Sequence, residues 1–224
     1  MDNWDYGDAY LRHPIQTGAA VFSDGSTLMV HDIHHPLPLF MRDADLIFVD
    51  PPWNQGNYSS FYSKAQVPAP ISEYTMFHHR LFECLQEIGP QVCYIEIGKE
   101  WLPQTVIAMR QIYPKVTFYN STYYHRSGNL CYIVRGSKKG RPPKLDGMDE
   151  ESVISWACQN EDYQCVGDLC MGRGLVALGA FHTKRRFVGT EMNHKRLSVA
   201  LERLVRSGAQ YTIVENPTNC KLFT

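Results

Sequence analysis

The sequence has no apolar run approaching the length of a membrane span, and its opening, MDNWDY, lacks the basic start and apolar stretch of a signal peptide. From these absences we expect a cytoplasmic chain with no membrane partner. Internal repeats and low-complexity tracts are missing as well, which argues against a solenoid or a disordered tail. Charge of one sign is also lacking: 22 Lys and Arg against 23 Asp and Glu leave a formal net charge of −1. A uniformly basic nucleic-acid binder is therefore excluded, and any grip on phosphates must come from local clusters. The seven cysteines contain no CxxC pair and no metal-ligand spacing, so they read as reduced thiols and no metal is expected. The 224 residues are 44% hydrophobic, enough for one domain with a full core spanning 1–224.

Residues 1–25 are polar with little periodicity and read as an arm. Residues 27–32 form a short strand ending in Asp32. At 45–50, DLIFVD is a continuous apolar run, the pattern of a strand buried on both faces, and it stops at Pro51 and Pro52. Residues 54–70 carry Gly, Ser, Tyr and Pro without period and read as a long functional loop. Helical patterns follow at 72–88, 101–113, 149–159, 175–182 and 193–207, and strand patterns at 91–97, 116–124, 130–134, 165–169, 186–191 and 211–214. The alternation predicts an α/β fold, a doubly wound, mostly parallel sheet with a β-hairpin near one edge. Such sheets bind ligands beyond the C-terminal ends of their strands. Asp32, Asp50, Asp168 and Glu191 stand at those ends.

DPPW at 50–53 is the sharpest signal. An exocyclic amino group on a nucleobase is a poor nucleophile because its lone pair is delocalised into the ring. Two acceptors aimed at its N–H groups pull it toward a pyramidal geometry and free the lone pair for in-line attack on a sulfonium methyl group. The Asp50 carboxylate and a carbonyl of the Pro51–Pro52 turn suit that task, since neither proline brings a competing N–H. Trp53 offers a flat face on which a flipped base can stack.

The loop GDLCMGRG at 167–174 follows a strand and opens a helix; its glycines allow close backbone approach to a ligand. It lacks the Gly-Lys-Ser/Thr of a P-loop and the third glycine of a dinucleotide fingerprint. Glu191, ending the next strand, is placed either to take ribose hydroxyls or merely to favour a helix N-terminus. Asp32 is either a turn cap or a partner for the cofactor's adenine amino group. Tyr58, Phe61, Tyr62 and Lys64 follow the catalytic turn and either close over the base or pack on their own scaffold. Lys138, Lys139, Arg141 and Lys144, in the basic loop 136–147, resemble a Lys-Gly-Arg-Pro minor-groove hook, or else form a solvated charged loop. Arg126 and Asn129 at the hairpin tip are the best candidates for base contacts.

The order of Asp32, DPPW, DLCMGRG and RRFVGTE (185–191) resembles the beta group of DNA amino-methyltransferases, whose motifs are circularly permuted so that the catalytic turn precedes the cofactor loop. His31–Asp32 stands for that group's Gly-Asp, Trp53 for its Tyr, and Leu169, Cys170 and Arg173 depart from its DPFxGSG loop. The resemblance covers about residues 28–206. It implies a Rossmann-like fold using S-adenosyl-L-methionine. Asp168, Cys170, Met171, Gly172 and Gly174 would form the cofactor loop, Glu191 the ribose contact, Asp32 the adenine contact, and residues 50–53 the base clamp. An acid at position 50 favours adenine N6 over cytosine N4. DNA is the expected partner with short or relaxed specificity. The DPPW form also resembles eukaryotic mRNA adenine-N6 methyltransferases, so RNA stays open, as do a homodimer and a silent nucleic-acid-binding subunit.

Overall fold

The computed structural model describes residues 6–70, 73–123 and 128–215. Helices run at Ala9–Arg12 (α1), Gln55–Ala65 (α2), Tyr74–Ile88 (α3), Leu102–Ile112 (α4), Glu150–Asn160 (α5), Leu175–His182 (α6) and His194–Arg206 (α7). The strands are Ala19–Phe22 (β1), Thr27–Val30 (β2), Leu46–Val49 (β3), Val92–Ile97 (β4), Lys115–Thr122 (β5), Leu130–Ser137 (β6), Cys165–Asp168 (β7), Arg186–Glu191 (β8) and Tyr211–Val214 (β9). They form one sheet in the order β5-β6-β4-β3-β7-β8-β2-β1-β9. Its five central strands, β4 to β2, are parallel, and the outer pairs at each side are antiparallel. The expected edge hairpin is β5–β6.

Period-2 alternation divides the central strands between two cores. Leu46, Phe48, Tyr94, Val166 and Phe187 pack under α5, α6 and α7. Ile47, Val49, Cys93, Ile95 and Val188 pack under α2, α3 and α4. The sheet is therefore covered on both faces, which is why its strands read as unbroken apolar runs. Helix α3 buries Phe77, Leu81 and Leu85, each contributing about 1.5–3 kcal/mol on burial. It ends at Gly89, whose φ of 67° is the left-handed stop expected from glycine.

Two expectations are corrected. Residues 1–25 are not simply an arm: from Tyr6 onward they supply α1, which packs on α7, and β1, which joins β2 to β9. Ala19 and Ala20 are fully buried there, but a four-residue strand of mostly small side chains carries too little alternation to be recognised. Residues 54–70 are not simply a loop either, because residues 55–65 form α2. Asn54 starts it by accepting the Asn57 N–H at 3.0 Å. Tyr58 and Tyr62, one turn apart, are driven into the core, so packing overrides the poor helix propensity of QGNYSSFYSKA.

The sheet's fit against α4 allows one test. A Cβ on Gly136 would collide with the ring of Tyr113, which is 1% exposed, and lie 2.7 Å from the Met109 methyl. Gly136→Ala is expected to destabilise the chain by about 1–3 kcal/mol, as overpacking does. Urea unfolding measures it, and an unchanged midpoint would contradict this packing.

Candidate active site

Parallel pairing brings the C-terminal ends of β3, β7, β8 and β2 to one side of the sheet, where they border a cleft. The cleft holds about 530 Å³ of empty space counted out to its open mouth, within the ~300–1,000 Å³ of small-molecule sites. Asp32, Asp50, Pro52, Cys170 and Glu191 line it, as the sequence led us to expect. Phe61, Asn193 and Arg196 line it too. Phe61 was expected near the base. Arg196 and Asn193 were missed, because each lay in what reads as an ordinary cap and basic helix.

The turn after β3 is fixed by named bonds. Tyr74 Oη donates to the Pro52 carbonyl at 2.5 Å. Trp53 Nε1 donates to Asp50 Oδ1 at 3.0 Å, so the tryptophan orients the carboxylate in addition to offering its ring. The indole lies against Gly98, where a Cβ would sit 3.1 Å from Trp53 Cε3, and meets Tyr123 edge-on at 5.1 Å. Gly98 gave no sequence signal, since the need for it arises only from the approach of two chain segments.

Asp50 is crowded by protein yet reached by solvent through the cleft mouth. Loss of hydration pushes its pKa up to about 6, against the pull of the Trp53 N–H and the Arg196 charge. Asp168, 7% exposed, accepts the Cys170 N–H at 3.0 Å. Burial, with Asp50 and Glu191 nearby, holds its carboxyl well above the usual range. The same burial and acids keep the Cys170 thiol protonated, so it is no nucleophile.

Glu191, 5% exposed, accepts the Gly172 N–H at 2.7 Å on one oxygen and the Asn193 N–H at 2.8 Å on the other. It ties the glycine loop to the start of α7. Gly172 takes φ 54° as it does so. Gly174 takes φ 74° and has a second reason to be glycine: a Cβ there would lie 2.6 Å from that of Ala200, so it admits α7. Met171 also departs from expectation. Its side chain lies in the core beneath the loop and not among the cleft-lining residues. Asp32 is a turn residue, accepting the His34 N–H at 3.0 Å, and it also borders the cleft. Both its oxygens take the Tyr62 hydroxyl at 2.8 Å.

The nucleic-acid candidates fare less well. Tyr58 is fully buried away from the cleft, its hydroxyl meeting His34 Nε2 at 3.2 Å, whereas Tyr62, 3% exposed, lines the cleft with its hydroxyl held on Asp32. Lys64 is exposed in the last turn of α2. Arg126 lies outside the described residues; Asn129 is partly exposed at the hairpin end. The basic loop starts at the wrong end of the sheet. Ser137 pairs with Val92, the first residue of β4, whereas the cleft lies past the last residues of its neighbours. Lys138 Nζ donates to the Gly89 carbonyl at 2.6 Å and so closes the C-terminus of α3. Lys139, Arg141 and Lys144 are exposed. Among the described residues, no group of side chains could hold a metal ion, and no helix is long and apolar enough to cross a membrane.

Neither a protein-family profile nor a curated protein matches the chain. Solved structures do. The cytosine-N4-specific PvuII DNA methyltransferase superposes with a TM-score of 0.61 at 10% identity, over 84% of this chain and 89% of its own. The chain has the fold of that DNA methyltransferase. M1.HpyAVI matches with a TM-score of 0.52 at 14% identity, over 79% of this chain and 97% of its own. TTHA0409 from Thermus thermophilus, a putative DNA modification methylase in complex with S-adenosyl-L-methionine, matches with a TM-score of 0.53 at 14% identity, over 80% and 93%. At such identity the likeness concerns the fold.

The Trp53–Asp50 bond favours the charged carboxylate, so removing it must raise the Asp50 pKa further. Trp53→Phe keeps an aromatic ring against Gly98 and deletes the donor. A carboxyl-carbon NMR titration should find Asp50 titrating at higher pH than in the parent; an unmoved titration would mean that the bond is not made.

Proposed function

We propose that the chain is an S-adenosyl-L-methionine-dependent methyltransferase acting on an exocyclic amino group of a nucleobase, adenine N6 in DNA, with short or relaxed sequence specificity. The observation that carries this reading is the placement of the oriented Asp50 carboxylate in the same cleft wall as Asp32, Cys170 and Glu191. The cleft also fits the cofactor. Burial beside Asp50 and Glu191 holds the Asp168 carboxyl up, and a sulfonium and an ammonium group bound there would favour its ionised form. His31, whose pKa burial lowers to about 4, borders the cleft with a buried Nε2 that has no partner. Asp168 and the backbone at 170–172 would hold the methionine part, Glu191 the ribose, and Asp32 with neutral His31 the adenine.

When bound, the cofactor supplies an electrophilic methyl group. The chain's own work is positioning and charge. Asp50 accepts one N–H of the amino group. The Pro52 carbonyl already takes the Tyr74 hydroxyl, which leaves the Pro51 carbonyl for the other N–H. Trp53 and Phe61 give the base apolar surfaces. The acid at position 50 supports adenine as the base. RNA is the second reading, resting on the Trp of the DPPW turn. Specificity is expected to be short because the core elements use most of residues 54–167, leaving the hairpin tip as the main candidate for groove contacts.

Transfer of labelled methyl groups to matched DNA and RNA oligonucleotides, with adenine or cytosine as the sole acceptor, tests this directly. Label in adenine-bearing DNA is expected; label in RNA alone, in cytosine alone, or nowhere overturns the assignment. Asp50→Ala should lower the single-turnover rate by about 10²–10³-fold, the loss typical of one preorganised polar group. Asp50 must be ionised to accept, so the rate should fall as pH drops through about 6.

Glu191→Gln should weaken S-adenosyl-L-methionine binding by about 1.5–3 kcal/mol, the worth of a hydrogen bond to a charged group. Gln is the milder change, because its one carbonyl oxygen still serves one of the Gly172 and Asn193 N–H groups whereas Ala would strand both; urea unfolding of the variant separates a loosened loop from a lost ligand contact. Unchanged affinity by calorimetry would reduce Glu191 to a loop tie.

A further inference from the structure

Behind Asp50 lies an acid that the base clamp does not use. In the parallel pairing of β3 and β4, Val49 stands opposite Ile95, which brings the next residues, Asp50 and Glu96, abreast. Neighbouring strands lie about 4.8 Å apart. Two residues earlier on each strand, Phe48 and Tyr94 stack at 5.5 Å on the face covered by α5 and α6, and alternation returns Asp50 and Glu96 to that face. Glu96 is 2% exposed, and its Oε1 has no hydrogen-bond partner. Glu150 and Cys131 adjoin its carboxyl group, and Asp50 acts on it through charge. Glu150 opens α5 and is partly exposed to water.

We propose that Glu96 relays the proton lost by the amino group, taking it from Asp50 and passing it through Glu150 to bulk water. The proposal rests on the reading of Asp50 as the acceptor of the amino group. A base held against Asp50 covers the cleft mouth, so the remaining way out leads back through the sheet end. Burial beside Asp50 and Glu150 holds the Glu96 carboxyl well above the usual range and therefore neutral. The groups facing it are Asp50 just after β3, Glu150 from α5 and Cys131 from β6. Burial and the adjoining acids push the Cys131 thiol up, so it stays protonated and takes no part.

The step balances. The nitrogen lone pair forms the N–CH₃ bond as the S–CH₃ bond of the sulfonium donor breaks, its electrons staying on sulfur. The N–H electron pair returns to nitrogen and the proton goes to an Asp50 oxygen. Asp50 passes a proton to Glu96 Oε1 while Glu96 releases its own to the Glu150 carboxylate, and Glu150 yields one to water. All three acids end as they began. Glu96 acts through Asp50 and is a relay, not a group that touches the base.

The test measures two clocks in one turnover of the full chain with S-adenosyl-L-methionine and an adenine-bearing DNA oligonucleotide. Rapid quench reads methyl transfer, and a pH indicator in weak buffer reads proton release. In the parent the two should proceed together. In Glu96→Gln and in Glu150→Gln, the ratio of proton-release rate to transfer rate should drop at least about tenfold, because an amide of the same shape cannot pass a proton on. A merely structural defect slows both clocks alike and leaves the ratio at one, which overturns the relay. Where Glu96→Gln does not fold, Glu150→Gln at the partly exposed helix start decides alone. Failure of the underlying reading looks different: the parent transfers no methyl group, or Asp50→Ala transfers as fast as the parent.

Discussion

The whole site depends on one constraint, the parallel register of the five central strands, which delivers every strand end to the same side. Carboxylates at those ends are forced close together in surroundings that penalise charge. Each is then settled by its own means. Glu191 takes two backbone N–H groups, Asp168 takes one, and Asp50 takes the indole N–H of Trp53. Glu96, with an oxygen left bare, stays neutral. The left-handed turn at Gly172, the start of α7 and the orientation of Trp53 follow from these local solutions.

That concentration of acid also divides the labour of binding. A cleft walled by carboxylates suits a cationic cofactor and repels phosphate. Arg196, over the Phe61 ring at 5.2 Å and acting on Asp50, is a cation of the wall but is turned toward the inside of the site. Under the proposed function, a polynucleotide backbone must be gripped from the rim. Tyr123, which touches Trp53, places the β5–β6 hairpin end at that rim. The basic loop begins at the far end of the sheet, where Lys138 serves α3.

Much of this was legible in the sequence because the informative features are local. Unbroken apolar runs marked the covered strands, and DPPW and Glu191 fell where their strands stop. The illegible parts depend on contacts between distant segments. Helix α2 exists because Tyr58 and Tyr62 find a core beneath β3 and α3, not because its residues favour a helix. The pairing of β1 with β9 joins residues nearly two hundred positions apart, and Gly18 is needed there because a Cβ would reach within 2.5 Å of the Val214 carbonyl. Met171 looked like part of a ligand loop because it stands between Cys170 and Gly172, yet its side chain packs in the core while Cys170 lines the cleft. Glu96 lay inside an apolar strand, and a buried acid shows its meaning only when its cross-strand neighbour is known.

Trp53 links the two halves of the site. A residue that only stacked on a base would need a free ring face, and a residue that only oriented the acid would need only a donor. The indole orients the acid, and under the proposed function it would receive the base as well; Gly98 and Tyr123 restrict it to one pose. Holding Asp50 through Nε1 lowers the carboxylate's pKa against the pull of burial, so the same side chain that would receive the base keeps the acceptor charged. A tyrosine at this position places its hydroxyl at the far tip of the ring and would have to reach Asp50 from a different pose. The tryptophan of the turn is thus part of the acceptor's electrostatics, and a change there is expected to alter both the seating of the base and the pH at which the acid is ready.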